Sequence, residues 1–83
     1  MEVKYVPAAI RELDALPEQT RERIIEKVHF YAVQDDPLRF AWPLRGHNAY
    51  RFRIGKHRII FEIRTNTLVV LTVIRRDSGY KNI

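Results

Sequence analysis

Hydrophobic and polar positions change their period twice along this chain of 83 residues. Val3 and Tyr5, with Lys4 between them and Val6 after, alternate over a short stretch that predicts a first strand, ended by Pro7, which has no amide to donate. From Pro7 the apolar residues Ile10, Leu13 and Leu16 recur at helical spacing. Pro17 interrupts that stripe and suits the first turn of a second helix. This second helix sets Glu18, Glu22 and Glu26 on one side and Ile24, Ile25, Val28 and Ala32 on the other, until Asp35-Asp36-Pro37 stops it. Residues 36–49 carry no clear period and contain Pro37, Pro43 and Gly46, which predicts a surface loop anchored by Trp42. The period then becomes two through Tyr50–Ile54, His57–Arg64 and Thr67–Ile74. Those are strands joined by two-residue turns at Gly55-Lys56, suited to type II′, and at Thr65-Asn66, where Asn tolerates positive φ. The last residues, from Arg75 to Ile83, are short and polar and are expected to fold back over the sheet edge.

A two-residue first turn sets a register. Ile54 faces His57, Arg53 faces Arg58, Phe52 faces Ile59 and Tyr50 faces Phe61, so one face is almost wholly apolar and is the face the helices cover. Carried through the second turn, the same alternation adds Ile63, Leu68, Val70 and Ile74 to that face. The opposite face collects Arg51, Arg53, Arg58 and Arg64 with Glu62 around an apolar strip of Ile60, Val69, Leu71 and Val73. Arginines placed directly across a ladder repel, which stability alone does not favour. The adjoining strip has no helix left to cover it, as in a surface awaiting an amphipathic partner. A charge run on a strand is also what a solvated face looks like, but the clustering favours anion binding.

Composition narrows the class. The length fits one domain over 1–83, and with no cysteine there is neither a disulfide framework nor a thiolate metal site. No apolar run is long enough to cross a bilayer and none follows the N-terminus, so a cytoplasmic location without membrane contact is expected. Net charge is +5 but unevenly spread: residues 1–44 hold six Lys/Arg against eight Asp/Glu, residues 45–83 nine against two. The positive field belongs to the second half, where Arg75 and Arg76 extend the arginines of the strands.

The run Leu44-Arg45-Gly46 followed by Tyr50 to Glu62, and the ending Val73-Ile74-Arg75-Arg76-Asp77-Ser78-Gly79-Tyr80, resemble the RelE/ParE toxin superfamily over nearly the whole chain. The resemblance implies an α+β domain in which an N-terminal strand and a two-helix hairpin pack on a mainly antiparallel four-stranded sheet. It further implies a toxin of a type II toxin–antitoxin system, restrained by a cognate antitoxin that occupies the strip of Ile60, Val69, Leu71 and Val73, with the complex binding operator DNA through the antitoxin. RelE-like members cut mRNA in the A site of the 70S ribosome. They use no metal or cofactor: a ribose 2′-hydroxyl attacks the neighbouring phosphorus, leaving a 2′,3′-cyclic phosphate and a 5′-hydroxyl. By position, Arg58 and Arg76 would stabilise charge on the phosphorane, and Arg51 and Arg53 would hold flanking phosphates beside Arg45, Lys56 and Arg75. Tyr80 would stack on a base or move a proton.

This chain departs from some RelE-like enzymes in carrying arginine where they carry lysine, and arginine stays protonated. The base then falls to His57 or His47, since histidine is the residue suited to proton transfer near neutrality. Strict alternation turns His57 toward the core face, and His47 lies in the loop. Two other functions fit the same scaffold: a ParE-like inhibitor of DNA gyrase that cuts nothing, and a non-toxic RNA-binding module.

Overall fold

A computed structural model describes residues 1–76. Strand β1 (Glu2–Tyr5) leads into helices α1 (Pro7–Asp14) and α2 (Glu18–Ala32). A single 3-10 turn (Pro37–Phe40) then precedes β2 (Trp42–Pro43), β3 (Tyr50–Ile54), β4 (His57–Arg64) and β5 (Thr67–Arg75). The strands form one sheet in the order β1-β5-β4-β3-β2, with β1 parallel to β5 and every other pair antiparallel. This is the α+β arrangement expected, with one addition. The stretch expected to be all loop contributes a fifth, two-residue strand, because the Leu44 N–H donates to the Ala49 carbonyl at 2.9 Å and so lays Trp42 and Pro43 against Arg51 and Tyr50. Pro43 is tolerated there because an edge strand needs no donor on its outer side.

Both helices begin at proline, Pro7 within the first turn of α1 and Pro17 as the residue capping α2. A fixed φ suits a helix start, where the missing N–H has no intrahelical partner to lose. α2 turns Ile24, Val28 and Ala32 inward as its periodicity requires. α1 differs from expectation: Ala9 and Leu13 carry its buried stripe, and Ile10 is 47% exposed. The core is centred on an aromatic ladder, Tyr31 over Phe52 with ring centroids 4.7 Å apart and Phe52 over Phe61 at 4.3 Å, with Ile59, Leu68 and Val70 fully buried around it.

α1 sits beside the sheet edge for a reason found in β1. That strand ends at Tyr5, so among the described residues β5 has no strand neighbour on this side beyond Val70. The Val6 N–H reaches the Val70 carbonyl at 3.1 Å, and past it Glu12 of α1 takes over. The Glu12 carboxylate accepts from the Val73 N–H at 2.8 Å, and the Thr72 hydroxyl donates to it from 2.9 Å. A bare edge is thereby closed by a side chain in place of a strand.

The first hairpin has the expected register from Ile54↔His57 through Tyr50↔Phe61, with Gly55 at φ +60° as a type II′ turn requires of its first position. In the second turn both residues take positive φ, Thr65 at 44° and Asn66 at 58°. The pairing of β4 with β5 then departs from simple alternation. Ile63↔Leu68 and Phe61↔Val70 are followed by Ile60↔Thr72, leaving Leu71 as the extra residue of a bulge. One inserted residue reverses every face beyond it. Val73, expected on the open face, is in the core at 6% exposure, and Ile74, expected in the core, crosses to the open face opposite Arg58.

Candidate functional site

Two rows of paired residues build the centre of the sheet's open face. Arg53, Arg58 and Ile74 lie side by side on β3, β4 and β5, and Arg51, Ile60 and Thr72 form the next row. Turning from β2 to β3, the segment Leu44–Ala49 folds beside them. Its tip is a turn in which the His47 N–H donates to the Leu44 carbonyl at 3.3 Å and Gly46 takes φ +77°, the left-handed value a type II turn needs at its third residue. The result is a cavity of about 390 Å³ lined by Leu44, Arg45, His47, Arg51, Arg58, Ile60 and Ile74.

Chemically, this is a cationic cup on an apolar floor. Arg58 is only 6% exposed, and Ile60 and Val69, expected as an open apolar strip, are each 8% exposed. The strip is thus mostly shielded by its neighbours; Leu71 and Ile74 remain half-buried. Guanidiniums converging on a concave surface offer planar, paired donors to an anion such as a phosphodiester, at fixed positions and in a medium less screened than bulk water. His47 brings an imidazole to the same cup.

Of the other residues singled out by sequence, Arg53 is exposed and its guanidinium lies over the Trp42 ring, 4.4 Å from the centroid. Trp42 is accordingly no buried loop anchor but 45% exposed at the rim. Arg64 donates to Glu62 at 2.7 Å, an ion pair at the far end of the face. Arg76 follows the end of β5, where its N–H donates to the Lys56 carbonyl at 2.8 Å, so Lys56 and Arg76 meet at the first hairpin turn. His57 pairs with Arg75 on the helix-covered side and lines a separate cavity with Thr20, Arg23, Ile24 and Lys56. Alternation along β4 thus puts His57 on the opposite side of the sheet from Arg58, and the histidine of the cup is His47. Sequence alone left these two histidines open because His47 lies where no period exists to aim a side chain. Tyr80 lies outside the described residues. Among the described residues no group of three or more His, Asp or Glu could hold a metal ion, and no helix is long and apolar enough to cross a membrane.

Fold and cup together define a class: small basic α+β proteins whose sheet leaves an arginine-rich hollow uncovered. Residues 3–80 match the family model of the ParE toxin of type II toxin–antitoxin systems. A curated relative, Toxin RelE3 of Methanocaldococcus jannaschii, is 30% identical and aligns over 96% of each chain. Two solved toxin–antitoxin complexes have a chain of the same fold. In RelBE2 of Mycobacterium tuberculosis it superposes with a TM-score of 0.77 at 29% identity, covering 90% of each chain. In the RelB–RelE complex of Methanococcus jannaschii the TM-score is 0.71 at 26% identity, covering 96% of this chain and 98% of that one. The chain belongs to the RelE/ParE family of toxins from type II toxin–antitoxin systems.

Proposed function

We propose that this toxin is an endoribonuclease that cuts mRNA in the A site of the ribosome without a metal ion. The observation that carries the reading is the cup: Arg58, almost wholly withdrawn from solvent, beside Arg51 and His47 in one hollow. A concave cationic surface suits a phosphodiester better than it suits a flat protein partner. The ribose 2′-oxygen attacks the adjacent phosphorus as the bond to the 5′-oxygen breaks, giving a 2′,3′-cyclic phosphate and a 5′-hydroxyl. His47 takes the 2′-hydroxyl proton, a role for which His57 is on the wrong side of the sheet, and the departing 5′-oxygen takes a proton from Tyr80 or from water. Arg58 and Arg76 stabilise the charge on the phosphorane, and Arg51 and Arg45 in the cup, with Lys56 at the hairpin turn further out, hold flanking phosphates, whereas Arg75, expected among them, shares the face of His57 and is left out. Tyr80 takes the base-stacking or proton-transfer role.

The related toxins solved with antitoxins support a cognate antitoxin here, which would dock on the open face around Ile60, Val69, Leu71 and Ile74 and carry the complex to operator DNA. Such a toxin acts in the cytoplasm, where ribosomes are.

Mapping of mRNA 5′ ends in a cell-free translation reaction tests the proposal. New ends inside ribosome-occupied codons are expected with the native chain and are expected to vanish with Arg58→Ala and to fall steeply with Arg58→Lys, whose thermal melts check folding. Intact message with the folded native chain would overturn it. The match to the ParE family model favours a second reading, inhibition of DNA gyrase by binding alone. It requires intact message together with loss of supercoiling activity in a purified gyrase assay.

A further inference from the structure

The cup accounts for Arg51, Arg58 and His47 but not for Trp42 and Arg53. An indole left 45% exposed forgoes the burial that normally rewards the largest apolar side chain. Its backbone is fixed by pairing with Arg51, and Pro43 follows it, so the ring is carried on a stiff edge. Arg53, also exposed, lays its guanidinium over the ring at 4.4 Å. Two flat groups thus stand stacked in solvent next to a hollow of guanidiniums, with Trp42 directly across from Arg51 of the cup. Planar cationic and aromatic surfaces of this kind bind what is itself planar, and every nucleobase offers a π-face.

We infer that Trp42 and Arg53 form a stacking platform for one unpaired nucleobase of the RNA strand whose phosphates the cup holds. The inference rests on the nuclease reading above and adds to it: Arg53 serves as one plane of the platform, not as a phosphate clamp. It also predicts a preference for single strands, since in a duplex the base faces are already covered by their neighbours. Arg51 and Arg58 read charge, which every nucleotide has, and the platform reads the presence of an unstacked base.

Trp42 is the chain's sole tryptophan, so its fluorescence reports on this platform alone. The probes are a short single-stranded RNA methylated at every 2′-hydroxyl, which binds but cannot be cut, and an abasic strand of the same length and charge. The base-bearing strand is expected to quench Trp42 and to bind about tenfold more tightly than the abasic strand, an effect within the usual contribution of stacking one base. Trp42→Ala is expected to bring the base-bearing strand down to the affinity of the abasic one without weakening the latter, and Trp42→Phe to keep part of the gain. Arg51→Ala is expected to weaken both strands alike. Equal binding of the two strands with unchanged fluorescence would overturn the platform and leave the phosphate-binding cup standing. No binding of either strand by the folded chain would overturn both. Quenching by an antitoxin segment but not by RNA would overturn it too, and would assign the platform to a protein contact.

Discussion

At the scale of single residues, two side chains sit in surroundings that their own chemistry opposes. Thr65 occupies the left-handed region at φ 44° in the second hairpin turn, where its branched Cβ crowds the backbone. An L-residue held there gives up about 1–2 kcal/mol, and the turn type asks for Asn or Gly instead. Thr65→Asn is expected to raise the urea midpoint, by the equivalent of about 0.5–1 kcal/mol, with an unchanged slope. An unmoved midpoint would mean that the Thr65 hydroxyl or methyl makes up for the strain. Tyr5, on β1 opposite Val70, is the second case: burial pushes its hydroxyl from 10.0 up to about 12. The folded state therefore holds this proton more tightly than the unfolded chain does. That contribution is complete below pH 10 and is lost as pH rises toward about 12, so alkali destabilises the fold through Tyr5. Tyr5→Phe is expected to flatten the decline of the urea midpoint between pH 10 and 12. A decline as steep as in the native chain would assign alkaline unfolding to other groups.

At the scale of elements, α1 and β5 depend on each other through Glu12. Its carboxylate satisfies the Val73 amide and the Thr72 hydroxyl at an edge that β1 is too short to cover. Glu12→Ala is expected to cost about 1–3 kcal/mol and to speed amide exchange at Val73, because it strands a donor that water reaches poorly. Glu12→Gln, which keeps an acceptor oxygen, is expected to cost less. Equal losses from both variants would point to charge instead of hydrogen bonding. This coupling was invisible in sequence, and so was the bulge at Leu71, for one physical reason. Strand signals are read from alternation, and the first hairpin alternates cleanly around Gly55, which is why its register and the grouping of Arg51, Arg53 and Arg58 were legible. The stretch from Leu68 to Ile74 is apolar almost throughout, broken only by Thr72, so it fits either register equally well. Packing decides between them. Val73 fits under the helices beside Ile59, and Ile74 moves out to floor the cup. The segment Trp42–Ala49 has no period at all, so the positions of Trp42 and His47 depend on the turn at Gly46 and the Leu44–Ala49 hydrogen bond, which join residues only once the strands are assembled.

At the scale of the whole molecule, the fold converts an imbalance along the chain into an imbalance across space. The small acidic surplus of residues 1–44 is split between α1 and the Asp35-Asp36 turn after α2, α2 itself being balanced, while the arginines of residues 45–76 are spread over the strands and the loops beside them. Sequence disclosed the sum and the halves; the sheet determines which arginines share a hollow. Binding that depends on net charge and binding that depends on the cup predict different responses to salt. Each phosphate contact on a single strand adds about 0.7 to the steepness with which log affinity falls against log salt. Arg51→Ala is expected to lower the slope for the uncleavable RNA by about this amount. Lys27→Ala, an equal charge change on α2 beside Phe30, is expected to leave it unaltered. Fluorescence anisotropy over a series of salt concentrations separates the two. Should the variants reduce the slope equally, the attraction belongs to the molecule's total charge, and Arg51 loses its claim to a phosphate. Should Arg51→Ala alone reduce it, the contact is local, and the same titration on Arg58→Lys then asks whether a buried point charge can replace the planar fork that the cup presents.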